Sequence, residues 1–322
     1  MDEMYYYWLH NVSGIGRVTF QAILKYMMPK ELYECDLSNT THFLSNKQRD
    51  SIQESRRKWN LQKEWEKLQS KGIGILGLRE SNYPLKLSKI PDPPSILYYK
   101  GNCDILDKPS VAVVGARECS NYGSLAAKEL GRELAAMGIV VVSGMARGID
   151  SICQSACLEY GGESVGVLGS GVEVCYPPEN RKLFENLQRQ GCLVSENLPH
   201  TPPNAGLFPL RNRIISGLAD VTVVIESREK SGTLITVDMA LEQGKHVLCE
   251  KPVCVSAKQA VELGDKLFCL EGIRELGQVF RGTGTVDLFG GNFGIVGRVS
   301  LPEGCADIDL FGGVFREDSN QL

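Results

Sequence analysis

No stretch of this 322-residue chain comes near the roughly 18 consecutive apolar residues that a membrane-spanning helix needs, so no membrane association is expected. Met1 to His10 are acidic and aromatic, with no basic stretch leading into an apolar one, so no secretory signal is expected there. The eleven cysteines are scattered and include no Cys-x-x-Cys pair. Neither a disulfide framework nor a metal site is therefore expected, even at Cys153 and Cys157 or at Cys249 and Cys254. They read as reduced, small core residues of a cytoplasmic protein. Positive charge is not in excess either. Lys and Arg number 35 against 39 Asp and Glu, a net charge of −4. That excludes a uniformly basic nucleic-acid coat but not a local basic patch. No P-loop with its lysine is present, so ATP hydrolysis has no support.

What is there is an ordinary folding composition, 43% hydrophobic and 23% charged, rich in glycine at 34 residues. Residues 1–71 read as a small helical domain, with apolar spacing through Phe20, Ile23, Leu24 and Met27. Val12-Ser13-Gly14-Ile15-Gly16 resembles the turn of a helix-hairpin-helix (SAM-like) element, or is a plain helix-packing turn. Asn46 to Lys71 is expected to form one long surface helix ending at Gly72. Residues 72–109 form a connector with two short strands, kept out of helix by the prolines of Asn82-Tyr83-Pro84 and Pro91-Asp92-Pro93-Pro94.

From residue 110 to about 280 short β-rich runs alternate with helical stretches. The runs are Val111–Val114, Ile139–Val142, Ser164–Leu168, Cys192–Ser195, Val221–Ile225 and His246–Cys249. Helical stretches lie between most of them, for example Ser124–Met137, Asp150–Tyr160 and Thr236–Gln243. The alternation predicts an α/β fold, a doubly wound parallel sheet with helices on both faces and ligands at the carboxyl ends of its strands. Residues 281–322 are a Gly-rich tail with three basic and six acidic residues. It repeats Val286-Asp287-Leu288-Phe289-Gly290-Gly291 as Ile308-Asp309-Leu310-Phe311-Gly312-Gly313, either packed on the body or disordered, or forming partner-binding segments.

Four anion-friendly motifs are expected at strand ends. Gly115-Ala116-Arg117 follows the first strand. Without the full G-x-G-x-x-G fingerprint, or an acidic residue closing the next strand, dinucleotide binding is disfavoured. Ser143-Gly144-Met145-Ala146-Arg147-Gly148-Ile149-Asp150 offers backbone access and a forked donor in Arg147, with Asp150 expected to cap the next helix. The lesser alternative is that Arg147 pairs with a surface carboxylate. Phe208-Pro209-Leu210-Arg211-Asn212-Arg213-Ile214-Ile215-Ser216-Gly217 sets cations beside an aromatic ring. Ser231-Gly232-Thr233 opens a helix behind Arg228 and Lys230. No nucleophile with a base is evident, no catalytic residue is assigned, and no cofactor is expected.

In this order the motifs resemble the DNA-processing protein A (DprA/Smf) family. The resemblance runs through Asn82-Tyr83-Pro84, Gly115-Ala116-Arg117, Ser143 to Asp150, Gly161-Gly162, Tyr176-Pro177 with Asn180, Phe208 to Gly217, and Ser231 to Thr236. It implies a Rossmann-like core that binds single-stranded DNA in a sequence-tolerant way and protects it. It also implies help in loading a RecA recombinase during natural transformation, and self-association as a homodimer. In that reading Arg117, Arg147, Arg211 and Arg213 grip phosphates beside Asn212, while Gly115, Gly144 and Gly148 permit close approach. Ser143, Ser231, Gly232 and Thr233 line the site, and Phe208 stacks a base or packs in the core, the core being favoured. The chain departs from the family pattern at Ala116, at Cys153-Gln154 and after Cys249, and its short acidic tail is not expected to form the winged helix in which many members end. Two other readings stand beside it. One is a LOG-type nucleoside-monophosphate phosphoribohydrolase, for which Glu226 and Asp238 are the carboxylates near the Ser-Gly-Thr turn. The other is a non-catalytic nucleotide sensor.

Overall fold

The computed structural model describes residues 2–37, 43–227 and 231–248 in full, together with the backbone of 249–250, 267–270, 285–289 and 296–300. Its centre is a nine-stranded sheet in the order β1-β2-β6-β5-β4-β3-β7-β8-β9. Seven strands run parallel: β3 (Ser110–Gly115), β4 (Val140–Ser143), β5 (Ser164–Val167), β6 (Cys192–Ser195), β7 (Val221–Ile225), β8 (His246–Glu250) and β9 (Leu267–Leu270). The connector supplies the antiparallel edge, β1 (Gly74–Gly77) on β2 (Ile96–Gly101), and β2 on β6.

Alternation along the central strands explains why helices cover both faces. Val111, Val113 and Val223 point into one layer, with Ala127, Leu130 and Ile149 of helices α7 (Asn121–Ala136) and α8 (Ile149–Glu159). Ala112, Val114 and Val224 point into the other, with Ile214, Ile215 and Leu218 of α10 (Leu207–Leu218) and Val237 of α11 (Gly232–Glu242). A strand buried on both faces is apolar along most of its length, which is why these runs do not alternate in polarity. Cys153 and Cys157 fill the first layer. Helix α9 (Arg181–Gln190) packs Leu183, Phe184 and Leu187 against Leu168 and Leu193. The expected doubly wound sheet is present, its first six strands within one residue of the ranges read from the sequence.

The N-terminal helices α1 (Glu3–His10), α2 (Arg17–Tyr26), α3 (Pro29–Glu34), α4 (Asn46–Lys58) and α5 (Leu61–Ser70) enclose Tyr6, Trp8, Phe20, Ile23 and Ile52. That core continues onto Ile75 and Tyr98 of β1 and β2. Between α1 and α2 the Val12–Gly16 turn buries Val12 and Ile15 and takes a positive φ of 80° at Gly14. The single helix expected over Asn46 to Lys71 is two helices. Trp59 leaves the helix, and the Asn60 side chain accepts the Lys63 N–H at 3.0 Å, which caps a new one. A short helix, α6 (Leu85–Ser88), follows β1 and buries Leu87. The first Asp-Leu-Phe repeat falls in β10 (Thr285–Phe289), paired antiparallel with β11 (Val296–Ser300). The second repeat lies outside the described residues, as do Arg228 and Lys230.

Candidate nucleic-acid interface

From β3 the chain winds toward β4, β5 and β6 on one side, then returns to place β7 on the other. Gly115 and Ile225 are register partners at this reversal, where the loops leaving β3 and β7 diverge. A cleft of about 710 Å³ opens there. Gly115, Ala116 and Arg117 come from the end of β3, and Ala146, Arg147 and Asp150 from the loop after β4. Phe208, Arg211 and Asn212 come from α10, and Ser231, Gly232 and Thr233 from the start of α11.

The loop after β4 is held by buried polar atoms. Met145 has a positive φ of 56°, a costly backbone geometry for a side chain of this size. Gln154, completely buried, compensates. Its Oε1 accepts the Met145 N–H at 3.1 Å, and its Nε2 donates to Ser164 Oγ at 3.1 Å and to the Val165 carbonyl at 3.0 Å. Asp150 does not cap its helix, because Gly148 precedes the first turn. Its Oδ2 accepts the amides of Gly144 at 3.2 Å and Ala146 at 3.4 Å. Burial pushes the Asp150 carboxyl pKa up, against the pull of Arg211 and these amides.

Arg211 is buried beneath the cleft floor. It donates through Nη1 to the carbonyls of Gly144, at 2.7 Å, and Val167, so it clamps the ends of β4 and β5 together. Burial lowers its pKa to about 10, with Asp150 opposing and Arg117 adding to the fall. A Cβ built on Gly144 would stand 2.3 Å from the Arg211 Nη2, so only glycine leaves room for this clamp. At Gly148, with φ of 73°, a Cβ would meet the Ala116 carbonyl at 2.2 Å. These two glycines accommodate the protein's own chain rather than a ligand.

The third expected turn is not a strand end. Phe208 to Gly217 lies inside α10, where Pro209 is tolerated because it falls in the first turn. Residues two apart on a helix face nearly opposite ways, so Arg211 and Arg213 part company. Arg213 is absent from the cleft lining. It pairs with Glu196 through both Nη atoms, Nη1 at 2.7 Å and Nη2 at 2.5 Å, and reaches the Asp92 carboxylate at 3.1 Å. Burial works against its charge, yet Glu196 and Asp92 outweigh it and hold the Arg213 pKa above the usual value. The Ser143 hydroxyl is likewise committed, to the Val113 carbonyl at 2.6 Å, and does not line the cleft. Gly144 and Gly148 do not line it either. Thr233 Oγ1 donates to the Gly115 carbonyl at 3.1 Å, tying α11 to β3, and Asn212 Nδ2 reaches the Gly232 carbonyl at 3.4 Å.

At the rim, Arg117 is exposed and has no ion-pair partner among the described residues. Arg147 is exposed and pairs with Glu179. Phe208 is half-buried and forms the cleft wall rather than core. Its ring stacks on Tyr176 at 5.3 Å with the planes 25° apart. Tyr176 is a cleft residue that the site reading from sequence missed, although Tyr176-Pro177 carried part of the family resemblance. Glu226 does not line the cleft; its carboxylate accepts the Ser120 N–H at 2.8 Å, at the start of α7. Asp238 is exposed on α11, outside the lining.

The family model of DNA recombination-mediator protein A matches residues 74–272. The chain belongs to this family. A DNA processing protein DprA of Bacillus subtilis is 36% identical over 219 residues, covering 66% of this chain and 74% of the relative. The Streptococcus pneumoniae DprA is 39% identical over 188 residues, 58% of this chain and 64% of the relative. The Escherichia coli Smf protein is 41% identical over 166 residues and is spanned to 44% of its length. The X-ray structure of the Streptococcus pneumoniae DprA superposes with a TM-score of 0.72 at 29% identity, over 85% of this chain and 96% of that one. A Helicobacter pylori DNA processing protein A structure, described for its single-stranded DNA binding mode, gives 0.57 at 27% identity, over 64% and 94%.

Proposed function

We propose that this protein binds single-stranded DNA without sequence preference through the strand-end cleft, and that it is a binding protein rather than an enzyme. The observation that carries the reading is the convergence of Arg117 and Arg147 with the opening of α11 on one cleft walled by the stacked Tyr176 and Phe208. Cations that track phosphates beside aromatic faces are what sequence-tolerant single-strand binding needs. The Helicobacter pylori relative, described for a single-strand binding mode, supports it.

The residues assigned to the strand are Arg117, Arg147, Asn212, Ser231, Gly232 and Thr233, with Tyr176 and Phe208 for the bases. Arg211 acts from below, as the clamp that holds the Arg147 loop. Arg213, Ser143, Gly144 and Gly148 support the site from outside it. The family's description as a recombination mediator supports the further reading that the protein hands strands to a RecA-type recombinase; that it does so in the cytoplasm and as a homodimer is part of the same proposal and rests on the family resemblance alone. For nucleotide hydrolysis the expected carboxylates are poorly placed, since Glu226 is turned to the Ser120 amide and Asp238 lies off the cleft.

The test is an anisotropy titration of single- against double-stranded oligonucleotides with salt varied. Arg117→Ala is expected to weaken binding to every single-stranded sequence alike and to reduce the salt slope by about one. Unchanged affinity and slope at low salt would remove Arg117 from the site. Tight binding of a mononucleotide with no binding of a long strand would replace the reading with that of a nucleotide sensor.

A further inference from the structure

Glu179 has no place in the strand-binding reading and does not itself line the cleft, yet its carboxylate sits on Arg147, one of the two exposed arginines that do. It lies in the single turn Pro178–Asn180, just before α9. The next residue ties this turn to the loop that carries Arg147: Asn180 Nδ2 donates to the Met145 carbonyl at 2.9 Å and to the Ala146 carbonyl at 3.4 Å. Glu179 Oε1 accepts from Arg147 Nε, and the two side chains remain 49% and 62% exposed. The carboxylate is therefore held where an incoming anion would meet the guanidinium, while the pair stays open to exchange.

We propose that Glu179 is a built-in competitor for the phosphate that Arg147 receives. The inference rests on the strand-binding reading above. With the cleft empty, the Glu179 carboxylate occupies the guanidinium. A strand phosphate offers the same oxygen acceptors and displaces it. An exposed ion pair resists such exchange by only a few-fold in the equilibrium constant, so displacement is feasible. Once released, Glu179 stands solvated beside a polyanion. It weakens the grip, and it recruits a cation, which offsets part of the counterion release that drives binding. The cleft then holds a strand firmly enough to cover it and loosely enough to give it up.

A double-mutant cycle on the full chain tests this, read by anisotropy on a labelled single-stranded oligonucleotide at several salt concentrations. Glu179→Gln keeps the size of the side chain and removes the competing charge. It is expected to tighten binding about three- to fivefold at low salt and to steepen the salt slope by up to about one. In an Arg147→Ala background the same substitution is expected to change affinity by less than about 1.5-fold. Glu118→Gln removes a cleft-lining charge that does not pair with Arg147, and so measures the general field. Glu118 acts on Arg147 only through space, so its gain should be smaller and should change less between the two backgrounds than that of Glu179→Gln. A Glu179→Gln gain that persists undiminished without Arg147, or no gain at all in a wild-type protein that binds strands, would overturn the proposal alone. Failure of the wild type to bind single strands would overturn the strand-binding reading and this inference with it.

Discussion

At the scale of single residues the arginines divide by burial, and burial decides what each does. Arg213 and Glu196 are 7% and 13% exposed at the side chain, with Asp92 completing the group. Removing one member of such a pair leaves an uncompensated interior charge. Arg213→Ala is therefore expected to destabilise the fold by about 3–5 kcal/mol, measured by denaturant unfolding. Arg147→Ala should leave the unfolding midpoint in place and weaken strand binding instead. If Arg213→Ala unfolds like the wild type and binds strands poorly, the division fails and Arg213 belongs to the site. Gln154 belongs on the structural side of the same line, since its amide serves three buried partners at once.

At the scale of elements, caps and turns account for most of what was hard to read from the chain. The basic run from Lys47 to Lys71 carries no glycine or proline to break it, so one helix was the natural expectation. The break is made by one side chain, Asn60, which serves the Lys63 amide instead of continuing the ladder. Asn60→Ala is expected to cost about 1 kcal/mol, seen as a lower thermal midpoint with no change in strand affinity. An unchanged midpoint would mean that the Trp59 turn is set by tertiary packing alone. The parallel strands were legible because burial on both faces forces uninterrupted Val-rich runs. Helix α10 was not, because a proline near its start and two arginines pointing inward disguise an interior helix as a basic loop. The loop after β4 was legible as a site, but not the roles of its glycines. Their neighbours, Arg211 and the Ala116 carbonyl, become neighbours only in the folded chain.

At the scale of the whole molecule, the helical region and the sheet share polar contacts that cross between them. Asp92 accepts from Gln21 of α2 at 2.7 Å and pairs with Arg17 as well as with Arg213. His10 of α1 lies 2.8 Å from the Tyr98 hydroxyl of β2, its ring stacked on the tyrosine. Burial lowers the His10 pKa to about 4 from an ordinary 6.5. The unfolded chain thus binds a proton that the folded one refuses between those values. Stability is full above about pH 6.5 and falls as pH drops toward 4, by about 1–3 kcal/mol. His10→Gln cannot take up that proton, so its unfolding free energy should fall less steeply across the same range. Parallel pH profiles for the two proteins would show that His10 does not couple the helices to acid. The placement of β3 gives a gauge for all these variants. It is paired along both edges, to β4 and β7, and covered on both faces. The amide protons of Val111 and Ala112, flanked by β4 and β7 alike, can therefore reach solvent only when the whole domain opens, and their hydrogen–deuterium exchange rates report its global stability at a single strand.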